Sequence, residues 1–68
     1  MTPEQSRTLV ALRHEYGPYD TLPEFDEGFT AYLHHGARVN PYTDPKDGVK
    51  AQAWDRGLEC ASRWKRMS

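Results

Sequence analysis

The chain has 68 residues, so it forms at most one small domain, and a domain of this size buries only about 60% of its unfolded surface. Nine Lys and Arg residues against ten Asp and Glu residues give a formal net charge of −1, which argues against a strongly basic RNA-binding protein. One cysteine, Cys60, excludes an internal disulfide framework and a cysteine-rich zinc site. We expect Cys60 to be a small, half-buried helix residue and not a reactive thiol.

The sequence contains no sign of a membrane or secreted protein. No apolar run approaches the roughly 20 residues needed to span a bilayer, and the first residues lack the basic-then-apolar order of a secretory signal. We therefore expect a cytoplasmic protein that does not bind a membrane. A domain this small commonly gains stability by pairing with itself or by docking on something larger, so a homodimer is compatible with the sequence.

Charge is divided unequally along the chain. Residues 1–30 carry a net charge of −4, whereas residues 31–68 carry +3. Two interpretations are equally open. Either the second half forms a basic contact surface with an acidic back, or the two halves attract each other across a compact fold.

The first predicted helix covers about residues 3–16. The segment TPEQ at residues 2–5 is a capping box with proline at the first helical position, and the Gly-Pro pair at 17–18 ends the helix. The apolar side of this helix, which includes Leu12 and Tyr16, is narrow. We therefore expect it to lie as a lid over a core made by two further helices.

The second predicted helix covers about residues 22–35. The segment TLPE at residues 21–24 repeats the capping-box pattern, and Gly36 suits a left-handed cap. One apolar face is predicted by residues at four-residue spacing: Phe25, Phe29 and Leu33. The carboxylates of the first turns complement the positive helix end, which we favour over catalytic carboxylates because the chain offers no nucleophile and no substrate pocket.

His34 and His35 end the second helix. Adjacent helical positions point about 100° apart, so the two imidazoles are not placed to chelate one metal ion. We expect them to be cationic or hydrogen-bonding groups at the helix end, and we predict no metal site, no cofactor and no enzyme activity.

The third predicted helix covers about residues 47–66, with Asp44 or Asp47 as its N-cap. A stripe at four-residue spacing is shallow enough for a helix that carries phenylalanines to approach closely: Val49, Ala53, Gly57 and Ala61. Gly57 inside a helix costs about 1 kcal/mol relative to alanine, which makes sense where another backbone packs against it. We predict an all-α fold, a helix–corner–helix hairpin with the N-terminal helix packed on it, in which the second and third helices are antiparallel and closest at Gly57.

The connection between the second and third helices has the most varied chemistry. It turns at a corner formed by Asn40, Pro41 and Tyr42, because Pro41 forces Asn40 out of the helical region. Single-stranded RNA is typically bound by the mixture of groups found here: Arg38, Asn40, Tyr42 and Lys46. The alternative is that Tyr42 folds back onto the helices as a structural staple while the cations are only solvated.

The order of five short motifs resembles the ribosome modulation factor family over about residues 24–63: Gly28-Phe29, Gly36, Pro41-Tyr42, Trp54 and Gly57. The resemblance implies a two-helix hairpin and a bacterial or phage protein that binds the ribosome and its RNA, regulates translation and takes part in ribosome hibernation. The sequence departs from the family pattern in three ways. The segment before Pro41 is shorter, Leu58 stands where an aromatic residue is expected, and the chain is not strongly basic.

Two functions are compatible with these patterns. The first is a regulator that binds ribosomal RNA through cations and neighbouring polar or aromatic groups: Arg38, Asn40, Tyr42, Lys46, Lys50, Arg56, Arg63, Trp64, Lys65 and Arg66. Within this set, we expect the main functional face to be centred on the corner and to bear Arg38, Lys46, Lys50 and Arg56. The alternative is a phage- or mobile-element-type adaptor or inhibitor that docks on a host protein through the acidic half or exposed aromatics.

Trp64 lies among basic residues and has two interpretations. An exposed tryptophan there stacks on a base or anchors a protein interface, whereas a buried one packs under the first helix.

The response to salt separates the two functions. Phosphate binding releases counterions and weakens steeply as the salt concentration rises, whereas an apolar protein interface changes little.

Overall fold

The computed structural model describes residues 2–67 and contains three α-helices and two 3₁₀ turns in this range. The helices are α1, α2 and α3, in that order: Pro3–His14, Pro23–His35 and Gly48–Met67. The 3₁₀ turns, Tyr19–Thr21 and Pro45–Asp47, precede α2 and α3. No strand occurs between residues 2 and 67, so the prediction of a small all-α, three-helix domain is confirmed.

α1 begins at the predicted capping box. The hydroxyl of Thr2 accepts a hydrogen bond from the backbone N–H of Gln5 at 3.2 Å, and the backbone N–H of Thr2 donates to Oε1 of Gln5 at 3.0 Å. The helix ends at His14, two residues before the predicted end. The following backbone N–H groups donate to carbonyls three residues back, which tightens the chain into a turn before Pro18.

α2 begins without the predicted second capping box. The hydroxyl of Thr21 donates to the carbonyl of Pro18 at 3.0 Å, within the 3₁₀ turn, and the N-cap residue is Leu22, where no side chain caps the helix. That prediction is wrong because α2 begins one residue later than the capping box requires, so the cap position holds Leu22, which has no hydrogen-bonding side chain. The other end agrees with expectation, since Gly36 is left-handed with φ 62°.

α2 and α3 make the main contact of the fold, and two glycines set its distance. A Cβ atom at Gly57 would lie 1.9 Å from the carbonyl oxygen of Phe25, and one at Gly28 would lie 2.1 Å from the carbonyl oxygen of Trp54. Neither position has room for a side chain, so the two backbones are in direct contact. Gly57 lies at the closest approach as predicted, and Gly28 is its counterpart on α2.

The two contact pairs run in opposite order along the helices, so the chain directions are opposed where the helices meet. Lys65 lies about 12 Å along α3 beyond Gly57, but its Nζ is only 5.9 Å from the ring centroid of Tyr32. If the two helices lay side by side with opposed directions, Lys65 and Tyr32 would lie toward opposite ends of the helix pair. α2 and α3 therefore cross at an angle.

A small core lies between the helix crossing and α1. It comprises four buried residues: Leu12, Tyr16, Phe25 and Cys60. Tyr19, Phe29 and Trp64 pack against its edges. Within α1 only Leu12 is buried, so this helix covers the crossing of α2 and α3 as the predicted lid.

Two residues of the predicted apolar stripes are not in the core. Leu33 is 39% exposed and Val49 is 64% exposed. Both side chains therefore lie on parts of α2 and α3 that the helix packing leaves largely uncovered. Among residues 2–67, no helix has the length and apolar character to cross a membrane.

Candidate binding surface

Asn40 fixes the corner to α3. Its Nδ2 donates hydrogen bonds to the carbonyl oxygen of Ala51 at 2.7 Å and to Oδ1 of Asp55 at 2.9 Å. Its Oδ1 accepts a hydrogen bond from the backbone N–H of Tyr42 at 2.8 Å, which closes an Asx turn across Pro41. Since these bonds use the amide donors and the acceptor, Asn40 is a structural clamp.

Tyr42 fixes the corner to α2. Its half-buried side chain donates a hydrogen bond from the hydroxyl to Oε2 of Glu27. This hydrogen bond, desolvation and the negative charge of Glu27 raise the pKa of Tyr42 to about 12, because each disfavours the phenolate. Tyr42 therefore has the position that the structural-staple interpretation describes.

Carboxylates surround the corner. Glu27 and Asp55 are bonded to its side chains, and the charges of Glu24 and Asp47 are close enough to contribute to the raised pKa of Tyr42. Oε2 of Glu24 is buried and has no hydrogen-bond partner among residues 2–67. The centre of the corner therefore repels phosphate, so an anion can bind only to cations at the edges of the corner.

Three exposed cations border this corner, and we call them the corner cations: Arg38, Lys46 and Lys50. Arg38 precedes the corner, Lys46 lies in the 3₁₀ turn after it, and Lys50 lies in the first turn of α3. None of them forms an ion pair within the part of the chain that the structure describes. Their charges are therefore accessible to an external anion.

Arg56 was predicted on the same face but lies apart from the corner. Its Cζ is 6.0 Å from the ring centroid of Tyr19, whose hydroxyl donates to the neighbouring Gln52. Adjacent helical residues point about 100° apart, so Asp55 faces the corner while Arg56 faces the turn after α1. The predicted face of four cations is thus divided between two sides of α3.

Arg63 is engaged by the turn after α1. Its Nη1 donates to the hydroxyl of Tyr16 at 3.0 Å, and its Nη2 donates to Oε2 of Glu15 at 3.3 Å. The guanidinium carbon is also 5.8 Å from the ring centroid of Tyr16. This ion pair joins the basic and acidic halves of the chain, whereas the pair between Arg13 and Asp26 at 2.6 Å lies within the acidic half.

The remaining predicted residues lie at the end of α3. Trp64 is half-buried and lines a cleft of about 420 Å³ with the first turns of α1. Lys65 and Arg66 are exposed, and Nζ of Lys65 approaches the ring of Tyr32 on α2. Arg66 forms no ion pair among residues 2–67.

Cys60 and the two histidines at the end of α2 lie in different environments. Cys60 is fully buried, and this burial raises its pKa to about 11, so its thiol is neutral near pH 7. The exposed rings of His34 and His35 are 6.4 Å apart. No group of three or more His, Cys, Asp or Glu residues between positions 2 and 67 could hold a metal ion.

Sequence patterns did not assign the roles of three residues, two at the corner and one at the crossing of α2 and α3. Glu27 and Asp55 hold the corner from two different helices, and no spacing rule connects a carboxylate on a helix with a side chain in a distant loop. Gly28 was identifiable, because a glycine inside a predicted helix carries the same cost that singled out Gly57.

Comparison with known proteins identifies no relative of this chain. No family model, no curated protein and no solved structure matches it. The resemblance to the ribosome modulation factor family therefore stays a prediction, and the function is inferred from the surface described above.

Proposed function

We propose that this protein is a small non-enzymatic regulator that binds RNA, with the ribosome as its target, through the corner cations. One observation carries the proposal. Arg38 and Lys46 lie on a connection that is clamped to two helices, and Lys50 follows it in the first turn of α3. All three are exposed and form no ion pair within residues 2–67. The resemblance to the ribosome modulation factor family supports the ribosome as the target.

The clamped connection favours binding because its backbone is ordered before the partner arrives. Asn40 and Tyr42 hold the corner without using any of the corner cations, so the entropy of ordering the loop is lost on folding and not on binding.

The carboxylates at the corner limit the strength of this attraction. With three cations, the surface neutralises few phosphates, and binding to free RNA is expected to be weak at physiological salt. A large folded particle such as the ribosome supplies further contacts to a bound protein. The charge pattern therefore suits docking on a ribosome better than coating a free RNA strand.

Co-sedimentation with bacterial ribosomes at low and high salt tests this proposal. Wild-type protein should sediment with ribosomes at low salt and be released at high salt, and Lys50→Glu should weaken the association at low salt. Arg7→Glu is the matched control, because Arg7 is exposed on α1, forms no ion pair among the described residues and undergoes the same charge reversal. Equal losses in both variants would contradict the corner as the contact surface. Wild-type protein that stays in solution at low salt would contradict ribosome binding itself.

A second function is favoured by exposed apolar side chains beside the same corner. Val39, which precedes Asn40, is 83% exposed, and Val49 in the first turn of α3 is 64% exposed. An adaptor or inhibitor that docks on a host protein would bury these side chains and pair the corner carboxylates with the partner's cations. Binding to a protein in nuclease-treated lysate that falls with Val39→Ser, but not with Lys50→Glu or high salt, would favour this alternative.

A further inference from the structure

A carboxylate of the chain itself occupies the basic end of α3. Glu15 lies against the guanidinium of Arg63, which also donates to the hydroxyl of Tyr16. The side chain of Arg63 is 39% exposed and that of Glu15 is 57% exposed. The ion pair is therefore at the surface, where water and other anions compete with it.

The first turns of α1 also cover the neighbouring aromatic ring. The cleft beside Trp64 is lined on the α1 side by the following residues: Thr2, Glu4, Gln5 and Thr8. Trp64 and Arg63 are adjacent on α3, and Arg66 follows them with an exposed guanidinium. A partly buried ring and two guanidinium groups therefore lie within four consecutive residues at the end of α3, next to α1 and the turn that follows it.

We infer that the end of α3 is a second anion-binding surface, suited to RNA phosphate groups, and that Glu15 competes with phosphate for Arg63. This inference rests on the proposed function. A phosphate that binds Arg63 takes the place of the Glu15 carboxylate, while the ring and hydroxyl of Tyr16 keep the guanidinium in position. Leu12 on α1 and Tyr16 in the turn after it are buried, so contacts other than the ion pair also hold this part of the chain in place.

The competition should be weak, because exposed ion pairs contribute little free energy. Such a pair shifts an equilibrium by about 1.5- to 5-fold, so Glu15 reduces RNA affinity without abolishing it. The raised pKa of Arg63, caused first by its hydrogen bond to Tyr16, is consistent with a guanidinium that stays charged when the carboxylate leaves.

Glu15→Gln tests the inference with little change in side-chain size. Glu59→Gln is the matched control, because Glu59 is exposed on α3 and influences Arg63 through space without forming an ion pair in the described chain. Binding of a fluorescein-labelled oligouridylate at low salt should strengthen by about 1.5- to 5-fold more in Glu15→Gln than in Glu59→Gln. Arg63→Gln should weaken binding and should remove the effect of Glu15→Gln when the two are combined.

The results separate this inference from the proposed function. If Glu15→Gln and Glu59→Gln change affinity equally while Lys50→Glu still weakens binding, the competition is overturned and the corner cations stand. If no variant binds the oligouridylate, the competition is overturned, while co-sedimentation with ribosomes separately decides the proposed function. A second readout does not need RNA, since the guanidinium protons of Arg63 should exchange with water faster in Glu15→Gln, and unchanged exchange measured by NMR would also overturn the competition.

Discussion

At the residue scale, two glycines decide how closely the main helices approach. Gly28 and Gly57 each face a backbone carbonyl of the opposite helix at a distance that excludes a Cβ atom. In an isolated helix, alanine would be more stable than glycine by about 1 kcal/mol. At this crossing glycine is more stable than alanine, because a methyl group would push the backbones apart and loosen the packing around Phe25 and Trp54.

Gly57→Ala should therefore lower the free energy of unfolding by about 1–3 kcal/mol, and Gly28→Ala should have a similar effect. Both methyl groups separate the same two backbones, so the double variant should be less destabilised than the sum of the single variants. Urea denaturation followed by tryptophan fluorescence measures these differences.

Gly48→Ala is the control for these two variants. Gly48 begins α3 with helical angles of φ −54° and ψ −44°, and nothing lies within 4 Å of the position of its Cβ. Alanine at this position should be neutral or stabilising by up to about 1 kcal/mol. A Gly57→Ala protein as stable as Gly48→Ala would show that the backbones are not in contact.

The hydrogen bond between Tyr42 and Glu27 predicts a loss of stability at high pH. The pKa of Tyr42 rises from 10.0 to about 12 in the folded state, so the folded protein holds this proton more tightly than the unfolded chain does. The resulting stabilisation is complete below pH 10 and is lost as the pH rises from 10 to about 12.

An absorbance titration of the four tyrosines measures this effect. One tyrosine should titrate late, Tyr42→Phe should remove that step, and Glu27→Ala should move it toward the ordinary range because it removes the main cause of the shift. A late step that persists in Glu27→Ala would contradict the assignment of that cause.

At the element scale, α1 is held less firmly than α2 and α3. Leu12 is its one buried residue, and its ion pair to α2, between Arg13 and Asp26, is exposed enough to contribute only about 0.2–1 kcal/mol. Opening of α1 alone therefore costs less free energy than unfolding of the helix crossing.

The buried thiol of Cys60 reports this opening. Cys60 lies in the core with Leu12 and Tyr16, and its raised pKa keeps it unreactive while α1 is packed. Leu12→Ala should lower the free energy of unfolding by about 2 kcal/mol or more and speed the alkylation of Cys60 by iodoacetamide.

Val10→Ala is the control on the same helix, because Val10 is 51% exposed. It should change neither the stability nor the alkylation rate. Equal alkylation rates in Leu12→Ala and Val10→Ala would show that α1 does not protect the thiol.

Sequence patterns that act through neighbouring residues predicted the helices well. They failed where the position of a second helix decides which side chains are buried. The capping box at Thr2 and the glycine at position 36 act through neighbouring residues, so their patterns marked two helix ends correctly. Leu33 and Val49 continue apolar stripes in the sequence, but periodicity does not say where a crossing helix stops covering them. The corner was predictable from Asn40 and Pro41, whereas its carboxylate partners depend on the angle at which α2 and α3 cross.

At the scale of the whole molecule, the net charge of −1 conceals surfaces of different character. The corner carboxylates Glu27 and Asp55 are bonded to the corner's own side chains, while the corner cations form no ion pair in the described chain. At the end of α3, Glu15 partly neutralises Arg63. The molecule therefore presents a small cationic edge instead of a broad basic face, and the RNA binding that we propose should be weak, local and sensitive to salt.

The salt dependence of RNA binding measures the number of phosphates that this edge neutralises. Each phosphate on a single strand contributes about −0.7 to the slope of log affinity against log salt concentration, so the three corner cations by themselves contribute about −2 to the slope. Lys50→Gln should make the slope shallower by about 0.7, and Val39→Ser should leave it unchanged. A slope near zero, or one that Lys50→Gln does not alter, would contradict RNA binding through the corner cations.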